Sequence, residues 1–162
     1  ARQQATRVNT VPADTSAAAE PGLVADTQVV LDWLVFRDAA AGPLLEAVRA
    51  GRLRWWATPA MRGELQHMLQ HPSLARWGHD AERALEFFDR QAALWPAPVM
   101  PLVPRLVCSD PDDQIFIDAA LTHRATWLVT RDRALLKLRR KAQGYGLHIV
   151  RPGEWRDTNA PA

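Results

Sequence analysis

The sequence is short of cysteine: Cys108 is the only one in 162 residues. A disulfide framework, a zinc ribbon and a CxxC redox centre are thereby excluded. No stretch approaches the ~18 consecutive apolar residues of a membrane-spanning helix. The first residues lack the apolar core of a secretory signal. A cytoplasmic protein without membrane contact is therefore expected. Lysine is scarce as well. Of twenty basic residues only Lys137 and Lys141 are lysine, which leaves eighteen arginines against eighteen acids. The net charge is +2, so the pI of 9.2 reflects the high pKa of arginine and does not by itself point to nucleic acid. No P-loop, GxGxxG or GxSxG occurs, and no internal repeat.

What is present is enough for one globular domain. Apolar residues make up 48% of the chain and charged residues 23%. That is too apolar for a disordered protein, and the length suits a single core. Residues 1–21 read as an N-terminal tail and 156–162 as a C-terminal one, with a domain over 22–155. Leu23-Val24-Ala25 reads as a buried strand, followed by an apolar helix over 29–36 and a second helix over 43–50. Leu53 to Ala57 is a strand. Thr58-Pro59 caps a helix that runs to about Gln70. A further amphipathic helix is expected over 80–94. Residues 96–111 hold five of the twelve prolines and read as a connector, with at most a short strand near 99–103 or 105–107. Asp110-Pro111 caps a helix to about Arg124. A strand (126–129), a helix (133–143) and a last strand (147–150) complete the chain. The alternation predicts an α/β domain with a mainly parallel sheet, whose sites lie at the strands' carboxyl ends.

Four acids stand out against that frame. Asp26 follows the first strand directly, and Asp132 lies two residues past Thr130 at the end of another. Each would also serve as a helix cap. Glu64 falls within the stripe made by Met61, Leu65 and Met68, where a carboxylate needs a metal or an arginine such as Arg62 or Arg83. Asp113 shares a helical stripe with Ile117 and Ala120, while Asp112 and Asp118 point elsewhere. Asp110, Asp112 and Asp113 also suit a helix N-terminus. Carboxylates converging on one sheet edge repel one another unless a cation sits among them. Without histidine or cysteine nearby, the matching ion is a hard one, Mg²⁺ or Mn²⁺. The chemistry that follows is metal-assisted attack of water on a phosphodiester. A dehalogenase-type phosphatase would need a second aspartate where Gln28 stands. A receiver-type phosphoacceptor would need a lysine at a strand end, and both lysines fall inside a helix.

Val24-Ala25-Asp26-Thr27-Gln28 resembles the hhDTN opening of PIN domains, small metal-dependent ribonucleases. Asp110-Pro111-Asp112-Asp113-Gln114 with Ile117 resembles their DPDDxxF/I stretch, and Leu128-Val129-Thr130-Arg131-Asp132 their hhTxD stretch. Glu64 lies where the family's second acid falls. Residues 149–155 are similar to a frequent ending in the branch of toxin components of toxin–antitoxin pairs. The resemblance implies a three-layer Rossmann-like fold with about five strands. It implies Asp26, Glu64, Asp113 and Asp132 as metal-binding, catalytic acids. Thr27, Gln28, Asp112 and Thr130 would support them. Gln28 replaces the asparagine that usually steadies the first carboxylate. A homodimer and an inhibiting antitoxin are also implied. Beside Asp132, residues 131–141 hold six basic residues, and Arg133, Lys137 and Arg140 share one face of the expected helix. With Arg131 they would form a phosphate-contacting surface for RNA. The seven tryptophans divide between core, with Trp33, Trp55 or Trp56, and Trp127 expected inside, and surfaces that could stack bases. A binding module without catalysis and a nuclease acting on DNA remain open as other functions.

Overall fold

The computed structural model describes residues 20–95 and 106–157. Among these residues five short strands form one sheet: β1 (Gly22–Ala25), β2 (Arg54–Ala57), β3 (Ala92–Leu94), β4 (Trp127–Val129) and β5 (His148–Val150). All neighbours pair in parallel, in the order β3-β2-β1-β4-β5. Parallel strands buried on both faces read as continuous apolar runs, as Leu23-Val24-Ala25 and Trp127-Leu128-Val129 do. The order runs outward from β1 in one direction and then restarts at β4 on the other side. The crevice of such a sheet opens where the order reverses, between the carboxyl ends of β1 and β4.

Among the described residues seven α-helices join the strands. They are α1 (Thr27–Leu31), α2 (Gly42–Arg49), α3 (Pro59–Leu69), α4 (Ala81–Gln91), α5 (Gln114–Thr122), α6 (Arg133–Leu136) and α7 (Arg139–Gln143). α5 packs on β1, β2 and β4, whereas α3 packs against α1 and α4. Successive strand residues face opposite ways, and the Trp55-Trp56 pair shows it. Trp55 is buried edge-on between Trp33 (5.3 Å) and Phe88 (5.0 Å). Trp56 stacks flat on His123 beyond the end of α5, at 4.3 Å. Trp127 is only partly buried, and Trp155 joins the core.

Several elements differ from the sequence reading. The helix expected over 80–94 ends at Gln91, and Ala92-Ala93-Leu94 is the edge strand β3. Its residues continue the helical pattern of α4 and carry no β-branched side chain, so only pairing with β2 reveals the strand. The strand expected near 99–103 lies outside the described residues, and residues 106 and 107 are not in a strand. The helix expected over 29–36 is α up to Leu31, then widens into a π turn over Asp32–Phe36. That turn ends at Arg37, whose φ of 50° is left-handed. The basic helix expected over 133–143 breaks after Leu136, so Arg133 and Arg140 sit on separate short helices and no single face carries both with Lys137. Leu138 turns inward at the break and is buried, which the charge pattern of residues 137–141 conceals.

Candidate metal-dependent active site

Asp26 leaves β1 at the crevice and its side chain is 5% exposed. Its backbone N–H still donates to the Val129 carbonyl of β4, 3.1 Å away. One carboxylate oxygen accepts the Val29 N–H at 3.0 Å, which caps α1. The other accepts the hydroxyl proton of Thr130, a residue that is fully buried. The same Thr130 oxygen accepts the Asp132 N–H at 2.9 Å. One hydroxyl thus ties the loops after β1 and β4 together. Burial raises the Asp26 pKa, and the Thr130 hydroxyl, with the Val29 and Arg131 N–H groups, opposes that rise.

Asp113 enters from the segment before α5. A 3₁₀ turn over Pro111–Asp113 is capped by Asp110, whose carboxylate accepts the Asp112 N–H at 3.0 Å. This turn directs Asp113 inward and leaves Asp112 exposed and outside the cavity. Asp110, Asp113 and Asp132 bring carboxylate oxygens within 4.8 Å of one another. One oxygen of Asp113, Oδ2, is buried with no donor to satisfy it. The Asp113 carboxyl is pushed up to about 7, first by burial and then by the Asp132 carboxylate beside it, with Asp110 and Asp26 adding repulsion. A proton or a cation is what that gap accepts. The donors are all carboxylate oxygens, so the site suits a hard divalent ion.

Asp26, Asp113 and Asp132 line one cavity of about 340 Å³, to which α3 contributes Glu64 and Met68. Glu64 is exposed and does not lie on the buried stripe that the spacing suggested. The buried side chains of α3 are Met61, Leu65 and Leu69, and Glu64 sits roughly 60° from the first and 100° from the second. Neither expected arginine pairs with it. Arg62 bonds Asp89 through two contacts of 2.7 and 2.9 Å, and Arg83 lies 3.6 Å from Asp80. Thr27 and Gln28 also line the cavity. Gln28 reaches Asp32 at 3.4 Å rather than Asp26, so Thr130 and the helix cap hold the first carboxylate.

Arg131 does not extend freely for phosphate. Its guanidinium bonds the buried Asp32 and the half-buried Asp38, each at 2.7 Å, and so fastens β4 to the π turn. Arg133, Lys137 and Arg140 are exposed. Two contributors escape sequence reasoning: Asp110, which reads as a cap and nothing more, and Asp32, hidden in an apolar run. A third is Gln114. It accepts the Cys108 N–H (2.7 Å) and donates to the Leu106 carbonyl (2.7 Å) and to Asp118 (2.9 Å). Those bonds pin the segment that leads to Asp110 and Asp113.

The PIN domain profile matches residues 22–134, which takes in the crevice and all five acids. The chain belongs to the PIN-domain family. Among curated proteins none matches. A chain from the crystal structure of VapBC2 from Rickettsia felis, bound to a DNA fragment from their promoter, superposes with a TM-score of 0.53. The identity is 12%, over 79% of this chain and 96% of that one, so the likeness speaks for the fold. PIN domains as a class are metal-dependent nucleases, and in this PIN domain an acidic cluster occupies the crevice between β1 and β4. Among the described residues no helix is long and apolar enough to cross a membrane.

Proposed function

We propose that the chain is a Mg²⁺- or Mn²⁺-dependent endoribonuclease and the toxin of a toxin–antitoxin pair. The observation that carries the reading is the buried Asp113 Oδ2, left without a donor among Asp110, Asp132 and Asp26. A carboxylate in that setting is stable only when a proton or a cation completes it. Asp26 and Asp113 would be the main ligands, with Asp132, Asp110 and Glu64 completing the charge. A divalent ion held there supplies Lewis acidity, activating water toward a phosphodiester and offsetting charge on the leaving oxygen. The chain's own part is placement. Thr130 fixes the spacing of Asp26 and Asp132, the 3₁₀ turn aims Asp113, and α3 adds the exposed Glu64 to the cavity lining.

The resemblance at residues 149–155 supports the toxin assignment. An antitoxin arginine could satisfy the same carboxylates as the ion, and homodimerisation is carried over with the family. The test is cleavage of a mixed RNA pool by purified protein with Mn²⁺, with EDTA, and by Asp26→Ala. Cleavage that requires both the metal and Asp26 is expected. Retained cleavage by folded Asp26→Ala overturns the site. A single-stranded DNA of matching sequence, run alongside, decides between RNA and DNA. Metal-independent RNA binding with no product would mark a binding module instead.

A further inference from the structure

Beyond the Arg131 ion pairs lies a second and larger hollow, about 680 Å³, between the π turn, α2 and α4. Four arginines line it: Arg37, Arg49, Arg83 and Arg90. Its carboxylates are Asp32, Asp38 and Asp80, and each is already engaged. Arg131 takes Asp32 and Asp38 from behind, and Asp80 caps α4 beside Arg83. Arg37, Arg49 and Arg90 are exposed, and among the described residues none of them has a carboxylate partner. Arg49 is held over the Phe87 ring at 5.3 Å, so its guanidinium is positioned without being neutralised. Arg37 is carried to the groove by a left-handed backbone at the end of the π turn. Trp77, which also lines the hollow, is 45% exposed and braced edge-on by Phe36, 4.8 Å away.

We infer that this groove binds the phosphodiester backbone of single-stranded RNA, with Trp77 as a stacking surface for a base. Unpaired guanidiniums with one exposed, rigid indole are the combination that sequence-tolerant single-strand binding uses. The wall between the groove and the acidic cavity is one ion pair thick, because Asp32 lines the first and Arg131 the second. A strand lying in the groove would therefore run on toward the acids. An acidic peptide would also supply charge for the arginines, and the polyglutamate arm of the test separates it from RNA. The inference rests on the nuclease reading for the choice of RNA, and its test measures binding apart from cleavage.

The probe is a fluorescein-labelled oligouridylate of about 12 nucleotides, followed by anisotropy in EDTA over a salt series. The triple variant Arg37→Ala/Arg49→Ala/Arg90→Ala should bind at least ~10-fold more weakly. The slope of log K against log salt should fall by about 2, at ~0.7 per phosphate contact on a single strand. Trp77→Ala should weaken binding by roughly 10-fold and leave that slope unchanged, since stacking releases no counterions. The groove assignment is overturned if the folded triple variant, with wild-type circular dichroism and melting, keeps wild-type affinity and slope. It is likewise overturned if polyglutamate displaces the probe only from wild type while the triple variant still binds RNA. Should the groove bind RNA while no metal supports cleavage, the nuclease reading falls and the groove stands.

Discussion

Replacing Asp113 with asparagine should stabilise the metal-free protein at pH 8, although the residue belongs to the proposed ion site. The Asp113 carboxyl titrates at about 7 instead of 3.8, through burial and through the Asp132 carboxylate beside it. The folded state therefore keeps a proton that the unfolded chain releases near pH 4. Stability linked to this group is complete below that pH and is lost as pH rises through about 7. At ~1.4 kcal/mol per pH unit the ceiling is ~4 kcal/mol. Asp113 is partly open to water, and screening reduces the effect to about 1–2 kcal/mol. For a domain of this size that is roughly 2–8 °C in Tm. The assay is thermal melting of wild type and Asp113→Asn in EDTA from pH 4 to 8, repeated with Mn²⁺. The variant should melt higher at pH 8, and the gap should close toward pH 4. With Mn²⁺ the order should reverse, because only wild type gains the binding energy of the ion. A variant no more stable than wild type at pH 8 in EDTA would refute the strained-carboxyl argument.

Three other substitutions probe the supports. Thr130→Val keeps the shape but leaves Asp26 and the Asp132 N–H without their shared partner, and should cost about 2–3 kcal/mol in urea unfolding, with Thr130→Ser restoring most of it. Arg131→Ala strands the buried Asp32 with only the Gln28 contact and should cost about 3 kcal/mol. If Arg131 instead serves chiefly to hold phosphate, RNA affinity would fall while stability stayed put. Gln114→Ala should weaken Mn²⁺ binding by ~10-fold or more, and hydrogen exchange over residues 106–113 should speed up. Calorimetry and exchange unchanged from wild type would show that the acidic segment holds itself.

Much of this architecture is legible from the residues, because its signals are local. Apolar triplets mark β1 and β4, and Thr58-Pro59 marks the start of α3 through a side-chain cap on the Met61 N–H at 3.2 Å. An aspartate directly after such a triplet must sit at the sheet's carboxyl edge, whatever the rest of the chain does. What stays hidden depends on partners distant in sequence. β3 is a strand only because β2 offers it an edge. Glu64 has a helical phase that admits two readings, and the packing of Leu69 decides for the exposed one. Asp110 looks like a cap because it is one, and its second role arises only when β4 brings Asp132 alongside. Arg131 reads as part of a basic patch, since its two acidic partners lie more than ninety residues earlier.

The Thr130 hydroxyl has a bearing on when during synthesis the acidic cluster can assemble. It joins residues 104 positions apart, so Asp26 must wait for the β4 segment before its geometry exists. Chains emerge from the ribosome N-terminus first, at ~5–20 residues per second. A nascent chain ending before residue 132 would carry Asp26 and Glu64 but no assembled cluster. Activity would then begin as a step close to completion of the domain, not as a gradual rise. For the proposed nuclease, the parallel crossover would withhold an assembled acidic cluster from the half-made chain.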